Sequence, residues 1–187
     1  MNQQNITLLR QLKLTGMAQA LLQQLEQPGT YQGLSFEERL QLLIDHEHQS
    51  RDNRKQQRLL TSATLKVQAN ARDINYEHPR GLSQSVMSGL LSSGWVNKQQ
   101  NILITGPCGS GKTYLACALA HSAILKGHSA KYYRLSRLLL ELNQQKADGS
   151  YSKALKHIAK YDVLILDDWG LAPLKAAQRN DLMEIMD

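Results

Sequence analysis

Apolar positions recur at helical spacing over residues 5–27, with Leu14, Met17, Leu21 and Leu25 near one stripe. That spacing predicts an amphipathic helix, which Pro28-Gly29 is expected to end. Ser35-Phe36-Glu37-Glu38 then has the Ser-x-x-Glu form of a capping box, and Phe36, Leu40, Leu43 and Ile44 give the helix behind it a greasy start. From Asp45 to Arg58 the pattern changes: DHEHQSRDNRKQQR holds no apolar side chain. A helix that is polar all round has no core to lie on, so it bridges solvent or meets a polar partner. Arg51, Arg54, Lys55 and Arg58 follow i, i+3, i+4, i+7 spacing within it and project from one face, which reads either as a solvated surface or as a set of contacts to nucleic-acid phosphates.

Residues 64–100 are less regular. His78-Pro79-Arg80-Gly81 and Ser92-Ser93-Gly94 are breakers, and they leave a linker with one short helix over 83–91. Beyond residue 100 the rhythm alternates. Buried strands are predicted at 101–105, 130–135 and 162–166, and helices at 112–126, 136–145, 152–160 and 176–187. This order predicts an α/β fold with a parallel sheet flanked by helices. The domain reading is a helical N-terminal domain over 1–66, a linker over 67–100 and the sheet-bearing core over 101–187.

Composition refines this picture in two respects. With 42% hydrophobic but only 5% aromatic residues, the core must be built of Leu, Ile, Val and Ala. The formal net charge of +6 is shared equally between residues 1–100 and 101–187, so there is no basic tail, and the charge permits a nucleic-acid partner without requiring one. Cys108 and Cys117 have no metal-type spacing and are too few for a disulfide scaffold, which fits a reducing cytoplasm. The opening MNQQNITLLRQLKLTGMAQ is interrupted by Arg10 and Lys13 and does not read as a secretory signal. No later stretch approaches a membrane span.

The chemistry concentrates in GPCGSGKT, Gly106 to Thr113, after the apolar run NILIT. Gly106, Gly109 and Gly111, with Pro107, Cys108 and Ser110 between them, let the backbone curl so that successive amides can face phosphate oxygens. The following helix points its positive dipole end at the same anion. Lys112 adds a full charge at the outer phosphates, and the Thr113 hydroxyl is a hard oxygen suited to Mg²⁺. The acid such a site needs is expected at the end of a buried strand, and YDVLILDD supplies it. Asp167 is read as the metal carboxylate and Asp168 as the group that polarises the attacking water. Catalysis is thus expected from Lys112, Asp167 and Asp168, with ATP and Mg²⁺ as ligands.

Together, GPCGSGKT and VLILDDWG resemble the AAA+ ATPases of the DnaC and IstB-like group. The opening LRQLKLTGMAQAL, the central PRGL, Gly94-Trp95-Val96 and the closing LDDWGLAP are similar to the IstB-like members, from about residue 8 onward. The resemblance implies an AAA+ P-loop core behind a small helical region. It further implies an ATPase that self-associates into an ATP-dependent oligomer on double-stranded DNA and recruits or activates a cognate transposase. The AAA+ pattern usually has Glu where Asp168 stands. It also implies further strands, a polar sensor and an arginine finger after the last helix. The chain therefore reads as a C-terminally truncated form, expected to hydrolyse ATP poorly.

Three alternatives share part of this pattern: a DnaC-like helicase loader, a DNA-binding module switched by ATP without hydrolysis, and a small-molecule kinase. LTGMA favours the transposition helper over the first, and Asp167-Asp168 with the basic helix disfavours the last. His46 and His48, two apart on a helix, cannot chelate one metal. Trp95 reads either as a lid on the sheet or as an adenine contact, and Tyr132 and Tyr133 read as packing groups.

Overall fold

A computed structural model describes residues 2–78, 81–171 and 173–186, and the chain divides between Gln57 and Arg58 into two compact units. Pro79 and Arg80 of PRGL, Ala172 of LDDWGLAP, and Asp187 at the end of the last expected helix lie outside the described residues.

The first unit is helical, with α1 (Asn2–Gln11), α2 (Thr15–Glu26), α3 (Pro28–Tyr31) and the greater part of α4 (Phe36–Ala63). Two helices form where one is expected over 5–27. Lys13 takes a φ of 60°, its amide donates to the Arg10 carbonyl at 3.0 Å, and that of Leu14 to the Leu9 carbonyl at 2.8 Å. This is the left-handed helix stop that glycine usually provides; a lysine makes it here, so no breaker residue announces it. Pro28 does more than close α2. It opens α3, where a first-turn proline loses no hydrogen bond. The capping box forms as expected: Ser35 Oγ accepts from the Glu38 amide at 3.2 Å, and Glu38 Oε2 accepts from the Ser35 amide at 2.7 Å.

The polar stretch of α4 meets the N-terminus of α2. Glu47 is only 6% exposed and accepts from the Gly16 amide at 2.7 Å and the Met17 amide at 3.1 Å. A helix start leaves its first donors unpaired. Helix α2 has no side-chain cap of its own, so α4 supplies the acceptor. A Cβ on Gly16 would stand 2.8 Å from Glu47 Cα and 2.8 Å from the His46 carbonyl oxygen. The two helices therefore touch at a distance only glycine allows.

The second unit holds the end of α4, a 3-10 turn (Ala71–Asp73), α5 (Gln84–Leu91), α6 (Gly94–Asn97), α7 (Lys112–Leu125), β1 (Ala130–Arg134), α8 (Leu135–Asp148), α9 (Tyr151–Ile158), β2 (Val163–Asp167) and α10 (Ala176–Met186). Strands β1 and β2 pair in parallel, from Ala130 opposite Val163 to Arg134 opposite Asp167, and α8 and α9 form the crossover. Successive strand residues face opposite sides. Ala130, Val163 and Ile165 pack with Ala120, Ala123 and Ile124 of α7. On the other face, Tyr133, Leu164 and Leu166 pack with Leu138, Leu142 and Ile158. A parallel pair buried on both faces explains why β2 reads as a continuous apolar run.

The described residues of 67–100 are built into this unit. Ala69, Ile74 and Met87 are buried with Leu115, Cys117 and Ala118 of α7, and Ser83 caps α5 by accepting from the Val86 amide. Trp95 packs beside the α7 alanines and donates its indole N–H to the Leu90 carbonyl at 2.9 Å.

Residues 101–105 do not form the expected buried strand. Ile102 and Ile104 pack on the cluster around Leu115, but Leu103 is 85% exposed. Among the described residues no strand hydrogen-bonds to this segment. Apolar content does not make a strand by itself, because the ladder needs a neighbour to supply the opposite donors and acceptors.

Candidate functional site

The loop at residues 106–111 ends where α7 begins, and its three glycines have φ values of 155°, 79° and 89° at Gly106, Gly109 and Gly111. At Gly106 a Cβ would also stand 3.1 Å from Ser110 Oγ. Side chains are unfavourable in such conformations. Pro107 and Cys108 are exposed, with Cys108 a free thiol. Lys112, the first residue of α7, folds its ammonium back over the loop and donates to the carbonyls of Gly106 and Pro107, each at 2.8 Å. The loop, the lysine and the open amides of a fourteen-residue helix thus lie together.

Thr113 follows Lys112, and its Oγ1 donates to Asp167 Oδ2 at 2.9 Å. Asp167 is the last residue of β2, and its side chain is 14% exposed. The same oxygen accepts from the Tyr132 hydroxyl at 2.7 Å, with the Lys66 ammonium 3.5 Å away. Partial burial alone would raise the Asp167 pKa. Hydrogen bonds from Tyr132, Thr113 and the Asp168 amide, with the charge of Lys66, outweigh it and hold the carboxyl below the usual aspartate range. Burial, with the Asp167 carboxylate beside it, pushes the Tyr132 phenol far above its ordinary value. Near neutral pH the acid is ionised and the phenol keeps its proton.

A hydroxyl and a carboxylate within hydrogen-bonding distance are a donor set that fits Mg²⁺. That ion is held by one or two protein oxygens together with substrate phosphates, rather than by an all-protein cage. Among the described residues no group of three or more His, Cys, Asp or Glu could hold a metal. Thr113 and Asp167 are the residues that would hold it.

Asp168 has a φ of 61°, a left-handed conformation that aspartate tolerates better than most residues. Its Oδ2 accepts from Arg134 Nε at 2.7 Å. Sequence reasoning missed Arg134, Lys66 and the hydroxyl role of Tyr132. A signal existed for two of them: Tyr132 and Arg134 alternate on the strand adjoining the acidic one.

The four basic residues of α4 do not share one environment. Arg51 Nε donates to Glu47 Oε1 at 2.7 Å, and Arg54 Nη2 lies 3.6 Å from the same oxygen. Arg54 Nε also donates to the Ser50 carbonyl at 3.2 Å. These two arginines balance the buried carboxylate at the start of α2. Lys55 and Arg58 are exposed, as are Arg51 and Arg54. His48 pairs with Asp52 at 3.1 Å on the surface.

The profile of the IstB-like ATP binding protein family matches residues 7–187. The chain is 45% identical over 188 residues to a Pseudomonas fluorescens protein named for ATP binding and insertion sequence IS1162, covering 100% of this chain and 81% of that protein. It is also similar to two Sinorhizobium fredii proteins named for ATP binding and an insertion sequence. One is 38% identical over 96% of this chain and 73% of its own length; the other is 37% identical over 97% and 73%. No described helix is long and apolar enough to cross a membrane. A mixed fold of helices with a small parallel sheet, a phosphate-type loop joined to an acidic strand end, and a profile match over nearly the whole chain place this protein in the family of IstB-like ATP-binding proteins.

Proposed function

We propose that this chain binds ATP with Mg²⁺ at residues 106–113 and acts as an ATP-dependent, DNA-bound helper of transposition. The observation behind the nucleotide reading is the junction of Thr113 with Asp167 at 2.9 Å, which joins the phosphate loop to the end of β2. The loop amides and Lys112 bind the phosphates. Thr113 and Asp167 orient the metal, which when bound neutralises charge on the outer phosphates. Asp168 polarises the attacking water. In this reading the second unit is an AAA+-type core and the first a helical N-terminal domain.

The insertion-sequence names of the relatives support the biological setting, and the exposed Lys55 and Arg58 on α4 support contact with DNA phosphates. The partners are double-stranded DNA, other copies of the chain and a cognate transposase. The test is calorimetric titration with ATP and Mg²⁺, followed by retention of duplex DNA with and without nucleotide and by capture of the transposase. Saturable ATP binding that Lys112→Ala abolishes, with DNA retention that depends on ATP, is expected. Nucleotide binding unchanged in Lys112→Ala would overturn the site, and DNA retention indifferent to ATP would overturn the helper role.

A further inference from the structure

The Tyr132 phenol lies where it can govern the proposed metal carboxylate. Tyr132 pairs in register with Ile165, two residues before Asp167 on the parallel neighbour. Alternation along β2 puts Ile165 and Asp167 on one face, and the phenol spans the diagonal between them. Its ring packs against the buried cluster that contains Leu115 and Cys117 of α7. Its hydroxyl reaches Asp167 Oδ2 at 2.7 Å, while Thr113 reaches that same oxygen from the start of α7 at 2.9 Å. The carboxylate is therefore gripped from two elements. Lys66 adds charge at 3.5 Å from a half-exposed position.

We propose that Tyr132 is a positioning residue for Asp167, fixing the rotamer of the carboxylate and thereby setting how tightly the nucleotide site takes Mg²⁺. This rests on the nucleotide site proposed above. Groups that hydrogen-bond a metal ligand without touching the metal hold it in the geometry the ion demands. Tyr133, the next residue, faces the other side of the sheet and packs with Leu138 and Leu142, so it provides an internal control.

The test measures binding of a non-hydrolysable ATP analogue to the full chain at graded Mg²⁺ concentrations and in EDTA. Tyr132→Phe keeps the ring and removes only the hydroxyl. It is expected to raise the Mg²⁺ concentration for half-maximal effect by about tenfold, with binding in EDTA unchanged. Tyr133→Phe is expected to match the wild type. In an Asp167→Asn background, Tyr132→Phe should add no further shift, since coupled residues lose their interaction once. A Tyr132→Phe protein with wild-type Mg²⁺ dependence overturns the proposal, as does an equal shift in Tyr133→Phe or a shift that persists beside Asp167→Asn. If the wild type itself binds no analogue, the nucleotide reading fails and this inference falls with it. If the wild type binds with Mg²⁺ and Tyr132→Phe is indistinguishable from it, only the role of Tyr132 fails.

Discussion

Arg134 closes on Asp168 at 2.7 Å across the ends of two paired strands, so the guanidinium occupies the carboxylate proposed to polarise the attacking water. Asp168→Asn is expected to leave nucleotide affinity intact and to lower turnover by about 100-fold or more, the usual contribution of a general base. Arg134→Gln, which frees the carboxylate, is expected to raise turnover. Rapid-quench measurement of ATP hydrolysis checks both. Equal rates in the wild type and Asp168→Asn would remove Asp168 from the mechanism.

Gly16→Ala inserts a methyl group 2.8 Å from the backbone of α4 and is expected to cost about 1–3 kcal/mol, the range for forced overpacking. Gly29 has open space around the same added atom, so Gly29→Ala is expected to change stability by less than about 0.5 kcal/mol. Urea denaturation of the pair separates a packing demand at residue 16 from a general need for glycine in the helical unit.

Acid should weaken that unit through Glu47. Burial alone would raise its pKa, but hydrogen bonds from Arg51, Met17 and Gly16 prevail and hold it below the usual glutamate range. A carboxyl with a lower pKa in the folded state contributes stability that is complete above its unfolded value, about 4.3. That contribution disappears as pH falls through the folded value. Unfolding free energy is therefore expected to drop on acidification below about pH 4.3, and Glu47→Gln should flatten the drop. Asp162, whose carboxyl is also held low by hydrogen bonds from Ser129, should leave part of the slope in place. Urea titrations at a series of pH values would show it, and an unaltered slope in Glu47→Gln would contradict the assignment.

The basic residues of α4 should separate into two pairs. If Lys55 and Arg58 each neutralise one phosphate, replacing both by Ala lowers the log–log salt slope of duplex binding by about 1.8. Arg51 and Arg54 already serve Glu47, so replacing them should lower thermal stability and shift the slope less. Fluorescence anisotropy at several salt concentrations, beside a melting curve for each variant, checks this. Equal slope changes from the two pairs would return all four residues to one shared face.

What the sequence discloses here is what short-range chemistry decides. The turn at residues 106–111, the Ser35–Glu38 box and the acidic end of β2 depend on neighbours a few positions away, so their residue types suffice to locate them. Relations between distant segments are hidden. Residues 101–105 have the apolar content of a strand, but the ladder depends on a partner the local pattern cannot reveal. Glu47 sits in a run of polar residues and reads as solvated, because its acceptor role is set by two amides thirty-one and thirty positions away. The break at Lys13 is concealed for a different reason: a lysine takes the left-handed conformation that glycine usually supplies at a helix end.

The seat of α2 on α4 also constrains how this protein can change over generations. Glutamate at 47 beside anything bulkier than hydrogen at 16 would be held off from the amides it serves. Glycine at 16 beside a residue with no acceptor at 47 would leave those amides without the partner they have here. Each partner's usefulness is conditional on the other, so a substitution at either position also weakens what the other contributes.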